Sequence, residues 1–173
     1  MESTSPYRIP GMELIDHSFT LPLDYNDPAA RKIKVFVREV RDLDPKSEEK
    51  PLLLFLQGGP GFRAPLPIKK EGWLKRALSE FRVLMYDTRG NGLSTPVSHQ
   101  TLAAEGDAAQ QADYLKHFRA DNIVRDAEAI RAHMSPKEPW STIGQSYGGW
   151  CTTTYLSLHP EGLKECFIFG GVP

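Results

Sequence analysis

The fold of this chain is decided by residues 140–158, which read WSTIGQSYGGWCTTTYLSL. Trp140 to Ile143 form a short run typical of a buried strand, and the stretch from Tyr147 to Leu158 predicts a helix. Residues 144–149 span the junction between this strand and this helix and contain the pattern G-x-S-x-G. A strand that turns at once into a helix strains the backbone at the bend and exposes the side chain there, which is that of Ser146.

The residue types around this bend favour acyl-transfer chemistry. Glycines at 144 and 148 allow neighbouring chains to approach without a clash against a β-carbon. The first N–H groups of the helix are unpaired and carry partial positive charge, which stabilises a developing oxyanion. We therefore predict that Ser146 is a nucleophile and that the Tyr147 backbone N–H is an oxyanion donor. The alternative is that Ser146 only caps the helix, as many serines do.

Three further apolar runs predict strands of the same sheet. Leu52 to Leu56 and Val83 to Tyr86 precede the bend, and Cys166 to Phe169 follows the helix. Because strands alternate with helical patterns, we expect an α/β fold with a mostly parallel sheet flanked by helices. Glycine-rich loops follow the strands at their carboxyl ends, which is the edge where ligands bind in open α/β sheets.

The loop after the first of these strands is Gln57-Gly-Gly-Pro-Gly61. A serine acyl-transfer enzyme needs a second N–H donor facing the same oxyanion, and this loop is placed to supply it. We predict the backbone N–H of Gly59 for this role, with that of Gly58 as the second choice. The alternative is a plain tight turn.

The loop after the next strand is Asp87-Thr-Arg-Gly-Asn-Gly92. Gly90 and Gly92 resemble part of a dinucleotide-binding fingerprint, but Thr95 stands where the third glycine belongs, so nucleotide binding is not expected. We predict instead that Asp87 and Arg89 pair with each other, or hydrogen-bond, and brace the loop beneath the site.

The rest of the chain gives weaker signals. Residues 1–10 are predicted to be a flexible lead, and residues 11–173 to be one domain. Met12 to Leu23 and the alternating stretch Ile33 to Val37 predict paired strands. Helical spacing predicts three helices, over about residues 73–81, 107–118 and 122–134, the last with Asp121 as its N-cap.

Composition excludes several classes of function. Lys and Arg total 21 and Asp and Glu total 22, giving a net charge of −1, so neither nucleic acid nor a membrane is expected as a partner. No His, Cys or Asp cluster has metal-ligand spacing, and no metal or organic cofactor is expected. Cys151 and Cys166 are predicted to be reduced core thiols, and with no secretory leader in view they favour a cytoplasmic location.

Three motifs occur together in the order and spacing of the proline iminopeptidase family of α/β-hydrolase-fold serine peptidases: residues 57–61, 87–94 and 144–149. The chain resembles this family from about Gly11 to Pro173. That family often has His where Gln57 stands and Gln where Thr88 stands. The resemblance implies an aminopeptidase that releases N-terminal proline from peptides with a free N-terminus through an acyl-enzyme. Two alternatives stay open, an α/β-hydrolase acting on esters or longer peptides and a non-catalytic remnant.

The triad of such enzymes follows the order Ser, acid, His along the chain. After Ser146 the one histidine is His159, which a helix would place roughly 20 Å away, too far to act as its base. The resemblance implies that a cap and the strands bearing the acid and the histidine are missing. We therefore expect an N-terminal part of a hydrolase domain, ending after the strand that follows the nucleophile helix and poorly active alone. Its exposed strand Cys166–Phe169 should bind a second chain or self-associate.

Overall fold

A computed structural model describes residues 1–171. Within them lie eight strands: β1 (Glu2–Ser3), β2 (Tyr7–Ile9), β3 (Met12–Pro22), β4 (Lys32–Asp42), β5 (Leu52–Leu56), β6 (Arg82–Asp87), β7 (Trp140–Gln145) and β8 (Leu163–Phe169). The same residues form five α-helices: α1 (Gly72–Leu78), α2 (His99–Ala103), α3 (Ala108–Leu115), α4 (Ala120–Met134) and α5 (Tyr147–Leu158). Short 3-10 helices cover Pro45–Glu49, Lys116–Phe118 and Pro160–Gly162.

The strands form a single sheet in the order β1-β3-β4-β6-β5-β7-β8, with β2 also paired to β3. The pairs β6–β5, β5–β7 and β7–β8 are parallel, whereas β3 and β4 join the sheet antiparallel. The predicted α/β fold with a mostly parallel, helix-flanked sheet is confirmed. The carboxyl ends of the parallel strands bring the three glycine-rich loops to one edge, as expected.

The five apolar residues of β5 alternate between two cores, one on each face of the sheet. Leu52, Leu54 and Leu56 pack in the core that is covered by α4 and α5. Leu53 and Phe55 pack on the opposite face in the core that is covered by α1. The continuous apolar run thus reflects a strand that is buried on both sides.

The structure corrects three expectations. The predicted flexible lead instead contains β1 and β2, which pair antiparallel with β3. Helix α4 begins two residues earlier than predicted: Arg119 is its N-cap, and Asp121 lies in its first turn. The sequence reading also missed α2, whose first turn is closed by reciprocal hydrogen bonds between Ser98 and Thr101. The domain start at residue 11 stays a prediction, and Val172 and Pro173 lie outside the described residues.

The β8 end of the sheet is exposed and apolar. Strand β8 pairs with β7 along one side, and it is the last strand in the order described for residues 1–171. Phe167, Ile168 and Phe169 expose 41%, 42% and 55% of their surface. Within these residues no helix combines the length and apolarity that crossing a membrane requires.

Candidate active site

Ser146 occupies the bend between β7 and α5 in a conformation that side chains rarely adopt. Its φ is 53° and its ψ is −118°, and among residues 1–171 it is the one non-glycine residue with positive φ. Hydrogen bonds fix the bend. The Ser146 N–H donates to the Phe169 carbonyl oxygen at 2.8 Å, and its own carbonyl accepts the Gly149 N–H at 2.8 Å.

The Ser146 side chain takes no part in capping α5. It makes no capping hydrogen bond, so the alternative reading as a simple helix cap is wrong. The residue is half-buried. Tyr147 is the first residue of α5, so its backbone N–H cannot be used inside the helix. A partly accessible hydroxyl therefore stands next to an N–H group that is available to a ligand.

Glycines make the bend sterically possible, as predicted. A β-carbon at Gly144 would lie 2.3 Å from the Gly148 carbonyl oxygen. A β-carbon at Gly148 would lie 1.9 Å from the carbonyl oxygen of Leu56, the last residue of β5. Both distances are too short for any side chain, so glycine is required where α5 meets β5 and β7.

The predicted oxyanion loop lies against the bend. A β-carbon at Gly58 would stand 3.2 Å from Ser146 Cβ, so the Gly58 backbone is beside the predicted nucleophile. The Gly58 N–H donates to the Gln57 side-chain oxygen at 3.1 Å. Gly59 is exposed and has φ of 136°, in a region that favours glycine. This arrangement favours Gly59 over Gly58 as the second donor, although the roles of both residues stay predictions.

A pocket of about 260 Å³ opens beside these groups. Gly58 and Tyr147 line it, and Ser146 stands next to both without being one of the lining residues. One wall comes from the loop after β6, residues 88–91, and an adjoining wall from the segment between the end of α3 and the start of α4. The apolar lining side chains are Leu56, Phe62, Val97, Leu115, Phe118 and Ile123.

Asp87 and Arg89 brace the site loops, as predicted, through hydrogen bonds to other residues, which is the second of the two predicted alternatives. The Asp87 carboxylate accepts the Ala64 and Leu93 N–H groups, each at 2.8 Å. It thereby joins the loops that follow β5 and β6. Arg89 pairs instead with Asp126 of α4 through two bonds of 2.6 and 2.8 Å.

The Arg89–Asp126 pair is completely buried. The remaining Arg89 donors reach the carbonyl oxygens of Pro22, Leu23 and His117 at 2.8–3.1 Å. Burial opposes the Arg89 charge, but the hydrogen bonds and charge of Asp126 outweigh it and raise the pKa of Arg89. The role of Asp126 was not predicted from the sequence. The one feature that could have indicated it is that this acidic residue lies on the apolar side of a predicted helix.

The two cysteines occupy different environments. Cys151 is buried and lines the pocket, whereas Cys166 is half-buried on β8. Both thiols are free, and Cys151 lies in the core as predicted, whereas the prediction of a core position for Cys166 is wrong. Burial raises the pKa of Cys151 to about 12. It also raises the pKa of the neighbouring Tyr147 phenol to about 12, so both groups are neutral near pH 7.

No histidine after Ser146 reaches it within the described residues. His159 ends α5, which has 12 residues and is therefore about 18 Å long. Of the earlier histidines, His17 lies buried in β3 between Ser3 and Glu39, and His133 packs against Phe19. His117 is buried in a 3-10 helix, and His99 is exposed at the start of α2. Within residues 1–171 no group of three His, Cys, Asp or Glu could hold a metal ion.

Comparisons of sequence agree with this geometry. Residues 51–172 match the family model of the alpha/beta hydrolase fold. The chain is 53% identical to a proline iminopeptidase of Aeromonas sobria over 173 residues, which are 99% of this chain and 40% of that protein. It is 42% identical to a proline iminopeptidase of Aspergillus aculeatus, covering 88% of this chain and 36% of that protein. The chain thus spans about two fifths of the length of these curated relatives.

Solved structures share the fold. The crystal structure of VinJ superposes with a TM-score of 0.60 at 19% identity, over 90% of this chain and 44% of that one. The esterase RhEst1 of a Rhodococcus species gives 0.56 at 18% identity, over 90% and 46%. The match to the family model, the strand order and the geometry around Ser146 agree: the chain belongs to the α/β-hydrolase family.

Proposed function

We propose that this chain carries the nucleophile and the oxyanion donors of a serine aminopeptidase that releases N-terminal proline from peptides. The observation that carries the proposal is the backbone of Ser146, strained at the head of α5 and directly beside Gly58. Strained backbone persists at functional sites because the surrounding structure holds it there. The similarity to proline iminopeptidases suggests the substrate, which is therefore part of the proposal.

The chemistry follows from the geometry. Ser146 Oγ attacks the carbonyl carbon of the N-terminal residue, a C–O bond forms, and the carbonyl electron pair moves to its oxygen. The N–H groups of Gly59 and Tyr147 donate to that oxyanion. The C–N bond then breaks, and the proton lost by the serine goes through a base to the leaving amine. Water attacks the acyl-enzyme in the same manner and releases the free amino acid.

In this proposal the general base belongs to a segment of polypeptide outside residues 1–171. His159 is separated from Ser146 by the length of α5, whereas a base must come within about 3 Å of the hydroxyl. Residues 1–171 alone should therefore show only the residual rate that an oxyanion hole and binding provide.

We propose that this additional polypeptide docks at the β8 edge. The Phe169 carbonyl oxygen accepts the Ser146 N–H at 2.8 Å, so the carboxyl end of β8 touches the bend. A parallel strand added beside β8 would end at the same edge of the sheet as Ser146, so the loop after it could deliver a base there. The exposed apolar side chains of β8 support the same proposal. The cytoplasmic location inferred from the cysteines stays a prediction.

The test is complementation. The chain is mixed with the part of the Aeromonas sobria relative that it does not cover, and hydrolysis of prolyl-β-naphthylamide is followed. We expect activity from the mixture, little from either part alone, and none from a mixture containing Ser146→Ala. A short acyl ester and a longer peptide serve as competing substrates. Normal turnover by the chain alone, or full activity of Ser146→Ala in the mixture, would overturn the proposal.

A further inference from the structure

A buried ion pair joins the two walls of the pocket beside Ser146, which also meet where Gly90 packs against Phe118. Residues 88–91 form the wall contributed by the loop after β6, and Arg89 is part of that wall. The adjoining wall contains Leu115, Phe118 and Ile123. The Arg89 guanidinium donates to the His117 carbonyl oxygen at 2.8 Å and to both Asp126 carboxylate oxygens. His117 and Asp126 belong to the segment that carries the adjoining wall.

The partners of this pair restrict its movement from several sides. The Tyr25 hydroxyl donates to Asp126 Oδ1 at 2.7 Å. Arg89 also binds the Pro22 and Leu23 carbonyl oxygens at the end of β3. Neither charged side chain exposes any surface to solvent. A planar guanidinium with five donors in fixed directions holds such a geometry in a way that a lysine ammonium cannot.

We infer that the Arg89–Asp126 pair fixes the position of the two pocket walls relative to each other and thereby selects which acyl residue fits beside Ser146. Arg89 and Asp126 are positioning residues: they touch the walls and not the reacting atoms. The part of the inference that concerns the acyl residue rests on the proposed function. The part that concerns the walls does not.

The pair also leaves the pocket without a free charge of its own. The one charged side chain among the lining residues is Arg89, and Asp126 neutralises it. The lining therefore consists of apolar side chains together with the uncharged polar ones of Gln57, Thr88, Asn91, Tyr147 and Cys151. An uncharged acyl side chain suits this lining, whereas an ionised one would lose its hydration without gaining a partner.

Cys151 reports on the width of the pocket because its thiol lines the same space and is 1% exposed. The experiment measures alkylation of Cys151 by iodoacetamide under native conditions, by mass spectrometry, at several urea concentrations below the unfolding transition. Cys166 on β8 serves as the internal reference. The test variant is Arg89→Lys, which keeps the charge but loses the fork of donors. The control is Arg131→Lys, which weakens the Glu128 pair elsewhere on α4.

We expect Arg89→Lys to speed alkylation of Cys151 by about tenfold with little dependence on urea, because the pocket opens locally. Arg131→Lys should change the rate only in proportion to its loss of global stability. If Arg89→Lys does not fold, Tyr25→Phe removes one bond to Asp126 and should give a smaller change in the same direction.

Two results would overturn the inference. One is an unchanged Cys151 rate in Arg89→Lys. The other is a rate that rises with urea as steeply as global unfolding does, because the pair would then support the whole fold and not the pocket. Acyl transfer plays no part in this measurement, so a failure of the proposed function would be seen separately. In the complemented enzyme, Arg89→Lys should also change the ratio of leucyl to prolyl arylamide hydrolysis, and Arg131→Lys should not.

Discussion

Gly148 in the first turn of α5 packs directly on the carbonyl oxygen of Leu56 at the end of β5. A β-carbon at position 148 would lie 1.9 Å from that oxygen and 3.0 Å from the carbonyl oxygen of Gln57. Both neighbours are backbone atoms, so no side-chain rotation relieves the clash. The contact therefore fixes the helix that presents Ser146 against the loop that presents Gly58 and Gly59.

Replacing this glycine should be severely destabilising. We expect Gly148→Ala to lower the free energy of unfolding by about 3 kcal/mol or more, because overpacking against backbone forces β5 and α5 apart. Urea unfolding measures the change. The control is Gly61→Ala, where a β-carbon would meet nothing within 4 Å and only the φ of 100° is unfavourable. That variant should lose about 1 kcal/mol. Equal losses in the two variants would contradict the packing argument.

Replacing Ser146 with glycine should stabilise the protein while it removes the proposed nucleophile. The φ of 53° and ψ of −118° strain any residue that has a β-carbon. That strain costs of order 1–3 kcal/mol, which glycine would relieve. The greater freedom of glycine in the unfolded chain offsets roughly 0.5–1 kcal/mol of this gain. We expect Ser146→Gly to raise the free energy of unfolding by about 1 kcal/mol.

Ser146→Ala is the matched control because it also lacks the hydroxyl but keeps the β-carbon. Its unfolding midpoint should stay near that of the original chain. If the two variants unfold at the same urea concentration, the backbone at the bend is not strained.

A buried carboxylate in β4 makes stability depend on acid. Glu39 is 1% exposed. Burial by itself would raise the pKa of Glu39, but hydrogen bonds from His17 and Arg41 and the charges of Arg41 and Arg82 lower it to about 2. The unfolded chain, with an ordinary glutamate pKa, binds more protons between about pH 4.5 and pH 2. The stabilisation is therefore complete above that range and is lost as the pH falls through it.

We expect the free energy of unfolding to fall by roughly 3 kcal/mol between pH 5 and pH 2 on account of this group. Glu39→Gln should remove this part of the pH dependence and lose several kcal/mol at pH 7, because Arg41 and Arg82 would be left without their buried partner. Urea unfolding across the pH range measures both effects, with the exposed Glu138→Gln as control. An unchanged pH profile in Glu39→Gln would contradict the assignment.

The two thiols should react at very different rates. A pKa of about 12 for Cys151 leaves roughly a thousandfold less thiolate than an ordinary cysteine has near pH 8. Iodoacetamide should therefore modify Cys166 first, and Cys151 only after unfolding. Peptide mass spectrometry over time distinguishes the two sites. Modification of Cys151 at a rate similar to that of Cys166 in the native protein would show that the pocket is open to the reagent.

The site was readable from the sequence where its signal is local. The bend at Ser146 and the glycine loops depend on consecutive residues, and strands buried on both faces appear as continuous apolar runs. The partner of Arg89 could not be predicted from the sequence. Asp126 is 37 positions away along the chain, whereas Asp87 is only two residues before Arg89 and was the more obvious choice. The strands β1 and β2 also escaped the reading: they are two and three residues long, their side chains are mostly exposed, and pairing with β3 alone defines them.

The exposed edge of β8 should make the isolated chain associate. An apolar strand with unpaired backbone groups on one side is a template for pairing with another chain. We expect the sedimentation coefficient to rise with protein concentration in the micromolar range. Phe167→Lys should abolish the rise, because a charge on an edge strand opposes pairing.

Phe62→Lys is the matched control: Phe62 is 66% exposed but lies in the loop after β5, so this variant should associate as the original chain does. A single monomeric species of the original chain at every concentration would contradict self-association, and loss of the rise in both variants would place the contact away from β8.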